Sequence, residues 1–143
     1  MCKLMIRPAR EGDVVAIEDM VYRWIRWRRG RADTIRKALR EASHQILVAE
    51  LDGKAVGVMH QIFHLDMMNA GLNSHLNFLL VEEEHRRKGI GSQLLNEAIK
   101  SAREKGCIEM HVDTIYNEAA EFYRKRGFKD DGVWLELALL SAQ

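Results

Sequence analysis

A short basic turn interrupted by glycine has the residue types and spacing best suited to chemistry. Three basic residues at positions 86–88 precede Gly89, and Gly91 follows after one residue. A strand-like apolar stretch over residues 75–81 comes before the turn, and apolar residues at helical spacing come after it. Such a turn presents main-chain N–H groups backed by a helix dipole, and glycine lets a ligand approach closely. The pattern predicts a phosphate or pyrophosphate site, with a merely solvated helix start as the alternative.

The composition is that of one ordinary globular domain. The 143 residues are 47% hydrophobic and 30% charged, which excludes a disordered chain, and a net charge of +1 disfavours a polyanion-binding protein. Cys2 and Cys107 have no CxxC spacing, so we expect free thiols in a reducing compartment, with neither a zinc site nor a disulfide. Because the chain has no long apolar run and no signal-peptide core, we expect a cytoplasmic protein that binds no membrane.

Periodicity and turn chemistry predict the elements that position the turn. Strands are predicted at 4–7, 44–51, 55–63, 75–81, 107–113, 128–130 and 133–139. Helices are predicted at 14–24, 33–40, 89–106 and 117–126, with Asp13 and Asp33 as N-caps of the first two. Two Asp-Gly pairs, at 52–53 and 131–132, predict hairpins. The predicted order is β-α-α-β-β-β-α-β-α-β-β.

Two motifs in this order resemble those of one enzyme superfamily. Leu94 stands where a dinucleotide fingerprint needs its third glycine, and the Gly-Lys-Ser/Thr of a P-loop is absent. The spacing Arg86-x-x-Gly89-x-Gly91 instead resembles the acyl-coenzyme A pyrophosphate loop of the GNAT N-acetyltransferases. Asn117, Tyr123 and the Gly-Phe pair at 127–128 resemble a second motif of that family. The resemblance implies a single domain over residues 1–143 of class α/β (α+β mixed sheet), whose fourth and fifth strands splay apart to admit pantetheine.

The resemblance also implies which residues bind acetyl-coenzyme A. The pyrophosphate would be held, chiefly by main-chain N–H groups, in the loop Arg86, Arg87, Lys88, Gly89, Ile90, Gly91 and Ser92. A bulge near Leu79, Leu80 and Val81 would free main-chain groups for pantetheine and for the oxyanion. Asn117 matches a cofactor-bonding asparagine, with helix N-capping as the alternative. Tyr123 matches a cofactor-binding tyrosine that donates a proton to the departing thiolate, with a core-packing tyrosine as the alternative.

The sequence constrains the identity of the general base less than that of any other catalytic group. His75 lies where several family members place a catalytic glutamate, and strand alternation predicts that it shares a face with Asn77, Leu79 and Val81. Imidazole titrates near neutral pH, so His75 is the candidate base. A structural His75 and proton loss directly to water are alternatives. Other candidates for a water-mediated relay are His60, His64 and Asp113.

An aromatic and arginine-rich stretch, residues 22–31, is the candidate acceptor side. The family resemblance assigns this segment to the acceptor, with Trp24, Trp27 and Arg28 as the candidate contacts. Tryptophan and guanidinium groups suit a planar or anionic acceptor better than a polyamine. The favoured structural interpretation is an amphipathic helix end with buried tryptophans and solvated arginines.

The sequence therefore predicts an acetyl-coenzyme A-dependent N-acetyltransferase that releases coenzyme A and uses no metal. Cys107 has no evident base partner, which favours direct transfer over a covalent acyl-enzyme. The acceptor would be a small-molecule amine, a peptide N-terminus or a lysine. An acyl-coenzyme A sensor without turnover is the alternative, and the net charge disfavours a nucleic-acid-binding domain. Exposed sheet edges support dimers in this family, so a homodimer is also predicted.

Overall fold

The computed structural model describes residues 3–27 and 29–140 and divides the chain into two compact units, 1–111 and 112–143. The strands are β1 (Leu4–Pro8), β2 (His44–Leu51), β3 (Lys54–Asp66), β4 (Gly71–Val81) and β5 (Glu109–Val112). The helices are α1 (Val14–Ile25), α2 (Ala32–Arg40), α3 (Ile90–Glu104) and α4 (Asn117–Arg124). None of the helices in the described residues is long and apolar enough to cross a bilayer.

The five strands form one sheet in the order β1-β2-β3-β4-β5, and the pairs from β1 to β4 are antiparallel. Asp52 and Gly53 have φ angles of 50° and 84°, as the predicted two-residue hairpin turn between β2 and β3 requires. Helix α3 connects β4 to β5, and a helical crossover of this kind joins two parallel strands. At the start of β4 the Ile108 N–H donates to the Leu72 carbonyl, 2.8 Å away. The predicted α/β class with a mixed sheet is confirmed.

The sheet carries a core on each face. Helices α1 and α2 cover one face, where the buried cluster includes Val14, Ile17, Met20, Val21, Ile35, Ala38, Ile46, Val48, Val58 and Leu80. Helix α3 covers the opposite face, and a Cβ on Gly57 would lie 3.1 Å from the Leu94 side chain. The fully buried Gln61 donates to the Ala98 carbonyl at 3.0 Å and accepts from the Ser74 hydroxyl at 2.6 Å. This buried polar group is hydrogen-bonded, so it ties α3 to the sheet without the cost of an unsatisfied amide.

A one-residue bulge in β4 reverses the alternation of its side chains between the two faces of the sheet. His60 pairs with Phe78 and Gln61 pairs with Leu76, so Asn77 is the extra residue. Side chains alternate between the two faces along a strand. One inserted residue therefore moves each later side chain to the face opposite the one that regular alternation would give it. Leu76 therefore lies on the α3 face with Gln61, whereas Phe78 packs against the α1–α2 core.

Of the two predicted helix caps, Asp13 occupies the N-cap position of α1, whereas Asp33 does not cap α2. Asp13 immediately precedes α1, but its carboxylate makes no cap bond to that helix. It accepts two bonds from the Arg7 guanidinium, at 2.7 and 2.9 Å, and one from the Arg10 N–H at 2.9 Å. Arg7 holds the pKa of Asp13 below its usual value. Asp33 lies inside the first turn of α2 instead of capping it.

The predicted closing hairpin is not present. Residues 128–140 contain neither helix nor strand. Val133, Leu135, Leu137 and Leu139 alternate as in a one-sided strand, yet each is more than 80% exposed. Alternation predicts which side chains would share a face, but a strand also needs a partner for its main-chain N–H and C=O groups, and the pattern does not specify that partner.

Replacing Asp13 by alanine should lower the free energy of unfolding by about 3 kcal/mol, because Arg7 would remain buried without its main partner. Urea denaturation followed by circular dichroism measures the change. Asp33→Ala is the matched control, since its carboxylate is 91% exposed and lies 3.4 Å from Arg36; it should change stability by less than about 0.5 kcal/mol. Equal losses in the two variants would contradict a structural role for the buried ion pair.

Candidate functional site

The predicted glycine turn joins the end of β4 to the start of α3. After Val81 the chain makes a short 3-10 turn, Glu83–His85, and enters α3 at Ile90. Arg87 and Gly89 have φ angles of 62° and 81°, so the backbone folds back tightly between them. A left-handed conformation at a residue other than glycine is costly, and such strain collects at ligand-binding segments.

The main-chain N–H groups of this turn point to no acceptor in the described protein. Arg86 N–H donates to the Glu83 carbonyl at 3.3 Å, and Gln93 N–H donates to the Gly89 carbonyl at 3.1 Å. Between them, no described residue accepts from the N–H groups of residues 87–91. A Cβ built on Gly89 would meet no atom within 4 Å, so the space beside it is open. The arrangement fits an anion that carries several oxygens.

The neighbouring charged side chains leave the turn accessible. The Glu82 carboxylate is paired with Arg23, and Glu83 and Glu84 are exposed. Arg86 folds back toward the strand, where its Nε donates to the Val81 carbonyl at 3.0 Å. Its guanidinium lies 5.2 Å from the centre of the Trp24 ring. The protein's own carboxylates therefore do not occupy the turn, and Trp24 is held beside it.

The predicted bulge on β4 exists but lies at Asn77, two residues before the predicted segment. Leu79, Leu80 and Val81 instead form the regular end of the strand that leads into the turn. The Leu80 side chain is buried in the α1–α2 core, so Leu80 can contribute only main-chain groups to a ligand. A bulged residue leaves main-chain groups outside the ladder, as the predicted oxyanion contact requires.

The bulge also corrects the predicted position of His75. His75 pairs with Ile62 on the α1–α2 face of the sheet, whereas Val81 pairs with Gly57 on the α3 face. The prediction that His75 shares a face with Leu79 and Val81 is wrong, because the extra residue at 77 separates them. His75 lies in the middle of β4 and not at its start.

A cluster of imidazoles lies on the α1–α2 face beside the bulge. His44 Nδ1 is 2.9 Å from His60 Nε2, and the two rings stack with their centres 5.1 Å apart. The side-chain amide of Asn77 lies 3.0 Å from His60 Nδ1. At the other end, a Glu41 carboxylate oxygen lies 3.4 Å from His44 Nε2. The four side chains form a continuous polar chain from the bulge to Glu41.

The environment of His60 keeps its imidazole neutral. Burial, followed by the charges of His44 and His75, lowers its pKa to about 4. At physiological pH this ring therefore has one N–H donor and one acceptor nitrogen, and each faces one neighbour in the chain. The opposite end of β3 carries His64, which is exposed and outside this cluster.

Tyr123 and Asn117 lie in the second unit, on α4. Tyr123 is buried, and its ring makes edge contacts with Phe122 and Phe128 at centre distances of 5.2 and 5.4 Å. Burial raises the pKa of Tyr123 to about 12, so its hydroxyl keeps its proton at neutral pH. Asn117 is exposed and is the first residue of α4, which Tyr116 precedes as the N-cap residue, so the capping alternative for Asn117 is not supported.

The acceptor candidates are more exposed than the favoured structural interpretation predicted. Trp24 is 40% exposed and Trp27 is 47% exposed, so neither is buried. Helix α1 ends at Ile25 with Arg26 in the left-handed conformation, which places Trp27 outside the helix. Arg28 lies outside the described residues.

The arginines of this stretch contribute less free positive charge than the sequence indicated. Three of them are paired with acidic residues: Arg23 with Glu82, Arg29 with Asp19, and Arg31 with Glu18. Arg29 also lies over the Tyr22 ring, 3.7 Å from its centre. The case for an anionic acceptor is correspondingly weaker, while two half-exposed indoles favour a planar or apolar group.

Sequence reasoning identified the turn but missed part of the histidine cluster. Glu41, His44 and Asn77 were not selected, although Asn77 stands on the same predicted strand as His75. A signal was present in the two histidines flanking the Asp-Gly hairpin, at positions 44 and 60. Cys107 is half-buried, and burial raises the pKa of its thiol, which fits the prediction that it is not a nucleophile.

Comparison with known proteins identifies the family. Residues 8–128 match the model of the Acetyltransferase (GNAT) family. Human N-acetyltransferase 8 is 32% identical over 116 residues, which are 76% of this chain and 51% of that protein. The chain thus spans about half the length of the curated relatives it matches most extensively.

Two solved structures show how widely the fold is shared. A transcriptional regulator from Bacillus halodurans C-125 superposes with a TM-score of 0.88 at 24% identity, covering 96% of this chain and 100% of that one. An aminoglycoside N-acetyltransferase, AAC(6')-Iy in complex with CoA, superposes with a TM-score of 0.84 at 17% identity, covering 98% and 97%. At these identities the structures show the fold alone. The family match decides the identity, and this chain belongs to the GNAT acetyltransferase family of acyltransferases.

Proposed function

We propose that the protein is an acetyl-coenzyme A-dependent N-acetyltransferase that acetylates a primary amine by direct transfer. The observation that carries this proposal is the turn at residues 87–91, whose main-chain N–H groups meet no acceptor in the described protein. Membership of an acyltransferase family makes the diphosphate of coenzyme A the anion of choice for that turn. We propose that Arg86, Arg87, Lys88, Gly89, Ile90, Gly91 and Ser92 hold it, with Leu79, Leu80, Val81 and Asn117 as further contacts.

The cofactor would supply an acetyl group already activated as a thioester, so the protein has to manage protons and orientation. The unperturbed pKa of a thiol is about 8.5, and a hydroxyl donor near the departing sulfur speeds its departure. We assign this role to Tyr123, because its pKa of about 12 keeps the proton available at every physiological pH. The raised pKa of Cys107 supports transfer without an acyl-cysteine.

The acceptor is proposed to be a small-molecule amine or a peptide amine with a planar or apolar body. Trp24 and Trp27 offer half-exposed indoles, and Trp24 is fixed beside Arg86. Arg28 remains a proposed contact. The ion pairs of Arg23, Arg29 and Arg31 argue against a site selected mainly by negative charge.

We also propose a cytoplasmic homodimer that binds neither nucleic acid nor membrane. The support for a second copy is the aliphatic row of residues 133–139, because monomeric proteins rarely expose a contiguous apolar strip of this kind. The net charge of +1 supports the exclusion of nucleic acid.

A thiol-release assay over a panel of amines tests the proposed activity. The protein is incubated with acetyl-coenzyme A and alkylamines, arylalkylamines, amino acids or peptides, and free thiol and acetylated product are quantified together. Stoichiometric product with at least one amine supports the proposal. Tight binding of acetyl-coenzyme A in calorimetry with no product from any amine would favour the sensor alternative instead.

Gly89→Glu should weaken acetyl-coenzyme A binding at least tenfold, since the new carboxylate would enter the open space beside the turn and repel the diphosphate. Isothermal titration calorimetry measures the change. Gly106→Glu is the matched control, because Gly106 has a φ of 83° and equally open surroundings at the other end of α3. Both substitutions strain the backbone, so equal affinities in the two variants would remove the turn from the binding site.

Tyr123→Phe should lower turnover about 100-fold, the scale of a lost general acid, while the dissociation constant of acetyl-coenzyme A stays within about twofold. The phenyl ring preserves the packing on Phe122 and Phe128, so the fold should be retained. Steady-state kinetics and calorimetry separate the two effects. Tyr116→Phe, at a half-exposed tyrosine just before α4, is the control; an unchanged rate in Tyr123→Phe would exclude the phenol from proton donation.

A further inference from the structure

We propose that His60 and His44 form a directed proton relay that carries the proton of the acceptor amine from the β4 bulge to Glu41. This inference rests on the proposed N-acetyltransferase function. It replaces His75 with His60 as the group that receives the proton, and it gives Glu41, His44 and Asn77 roles that the sequence did not indicate.

The direction of the relay follows from the groups at its two ends. An ionised carboxylate only accepts, so the negative charge of Glu41, 3.4 Å from His44 Nε2, favours a proton on that nitrogen, although the contact is an ion-pair distance and not a hydrogen bond. His44 Nδ1 is then an acceptor, and His60 Nε2, 2.9 Å from it, must be the donor. This leaves His60 Nδ1 as an acceptor, which suits the Asn77 amide nitrogen 3.0 Å away. Both hydrogen bonds therefore donate in the same direction, from Asn77 toward His44, and Glu41 lies at the far end.

The inner end of the chain lies at the position where the reaction would occur. Asn77 is the bulged residue of β4, and the strand continues from it for four residues to Val81, a span of about 13 Å. An arm that starts at the glycine turn and follows β4 toward its first residues reaches this bulge. The exposed Asn77 side chain would give way to an amine, which then meets His60 Nδ1 directly.

The proton balance of the step needs only water besides the two substrates. As the C–N bond forms, the amine nitrogen gives one proton to His60 Nδ1. His60 passes its Nε2 proton to His44 Nδ1, and His44 passes its Nε2 proton to the Glu41 carboxylate. The C–S bond breaks with its electron pair on sulfur, which takes a proton from Tyr123. Glu41 is 58% exposed and loses its proton to water. These transfers leave both imidazoles in the Nδ1–H tautomer and Tyr123 as a phenolate, which takes a proton from water. The relay resets after the product leaves, when water protonates His44 Nε2, the His44 Nδ1 proton returns to His60 Nε2, and His60 Nδ1 releases its proton to water.

The surroundings of His60 suit a group that transmits protons without storing them. Its pKa of about 4 reflects burial together with the charges of His44 on β2 and His75 on β4. Its acceptor nitrogen is therefore available at neutral pH, and a proton that arrives there is passed on at once. The stacked His44 ring and the edge contact of Phe78 hold the imidazole in one orientation.

Kinetics of single and double variants test the relay in the full chain. His60→Gln and His44→Gln should each lower turnover about 100-fold, with the acetyl-coenzyme A dissociation constant unchanged. The double variant should be no slower than either single variant, because one interrupted chain cannot be interrupted again. Relative to the wild type, the rate of His60→Gln should rise about tenfold per pH unit from pH 7 to 9, as hydroxide replaces the lost proton acceptor. His64→Gln, on the same strand but outside the cluster, is the control.

Nuclear magnetic resonance provides a readout that does not depend on activity. Nitrogen-15 shifts of the wild-type protein should show the proton of each neutral ring, His44 and His60, on Nε2, and Glu41→Gln should perturb His44 first. Opposite tautomers, or multiplicative losses in the double variant, would overturn the relay.

If the wild-type protein acetylates no amine, the proposed function fails, and the tautomers still decide whether the directed chain exists. If the wild type is active and His60→Gln is equally active, only the relay fails.

Discussion

In a regular antiparallel sheet, strand pairing fixes which face each side chain lies on. In this sheet two inserted residues change that alternation. Val56 on β3 has no partner opposite it on β2, and Asn77 on β4 has none opposite it on β3. Beyond each of these residues, the side chains that would have faced one side of the sheet face the other. The first bulge brings His44 and His60 onto one face, and the second separates His75 from Val81. The core, the imidazole cluster and the end of β4 that leads into the glycine turn all depend on these two positions.

Features decided by local chemistry could be predicted from the sequence. Asp52 and Gly53 adopt the positive φ angles that their hairpin requires, and Gly89 and Gly106 lie at the two ends of α3. Helical periodicity identified α1 and α3, because the face that packs on the sheet has to be apolar. The turn at residues 87–91 is also decided locally, because the unpaired N–H groups at the start of a helix belong to its first turn and require no distant partner.

Features decided by distant pairing could not be predicted. Counting outward from the Asp52–Gly53 turn pairs residue 60 with residue 45, which would put His44 and His60 on opposite faces. The bulge at Val56 shifts the partner of His60 to Ile46 and reunites them. Likewise, the row from Val133 to Leu139 has the side-chain pattern of a strand, but no local rule supplies the neighbour that would pair with it.

Under the proposed function, the bulge at Asn77 would let one strand contact both the acyl donor and the amine. Beyond it, Leu79 and Val81 face α3, and their main chain leads to the turn that suits a diphosphate. Before it, His75 faces the α1–α2 side, where His60 and His44 lie. An acyl donor that follows the end of β4 and an amine that approaches from the imidazole side would meet where the faces exchange. In a regular strand both would lie on one side and compete for the same space, so in the proposed reaction the inserted residue would keep donor and acceptor on opposite faces of the sheet while they meet at the bulge.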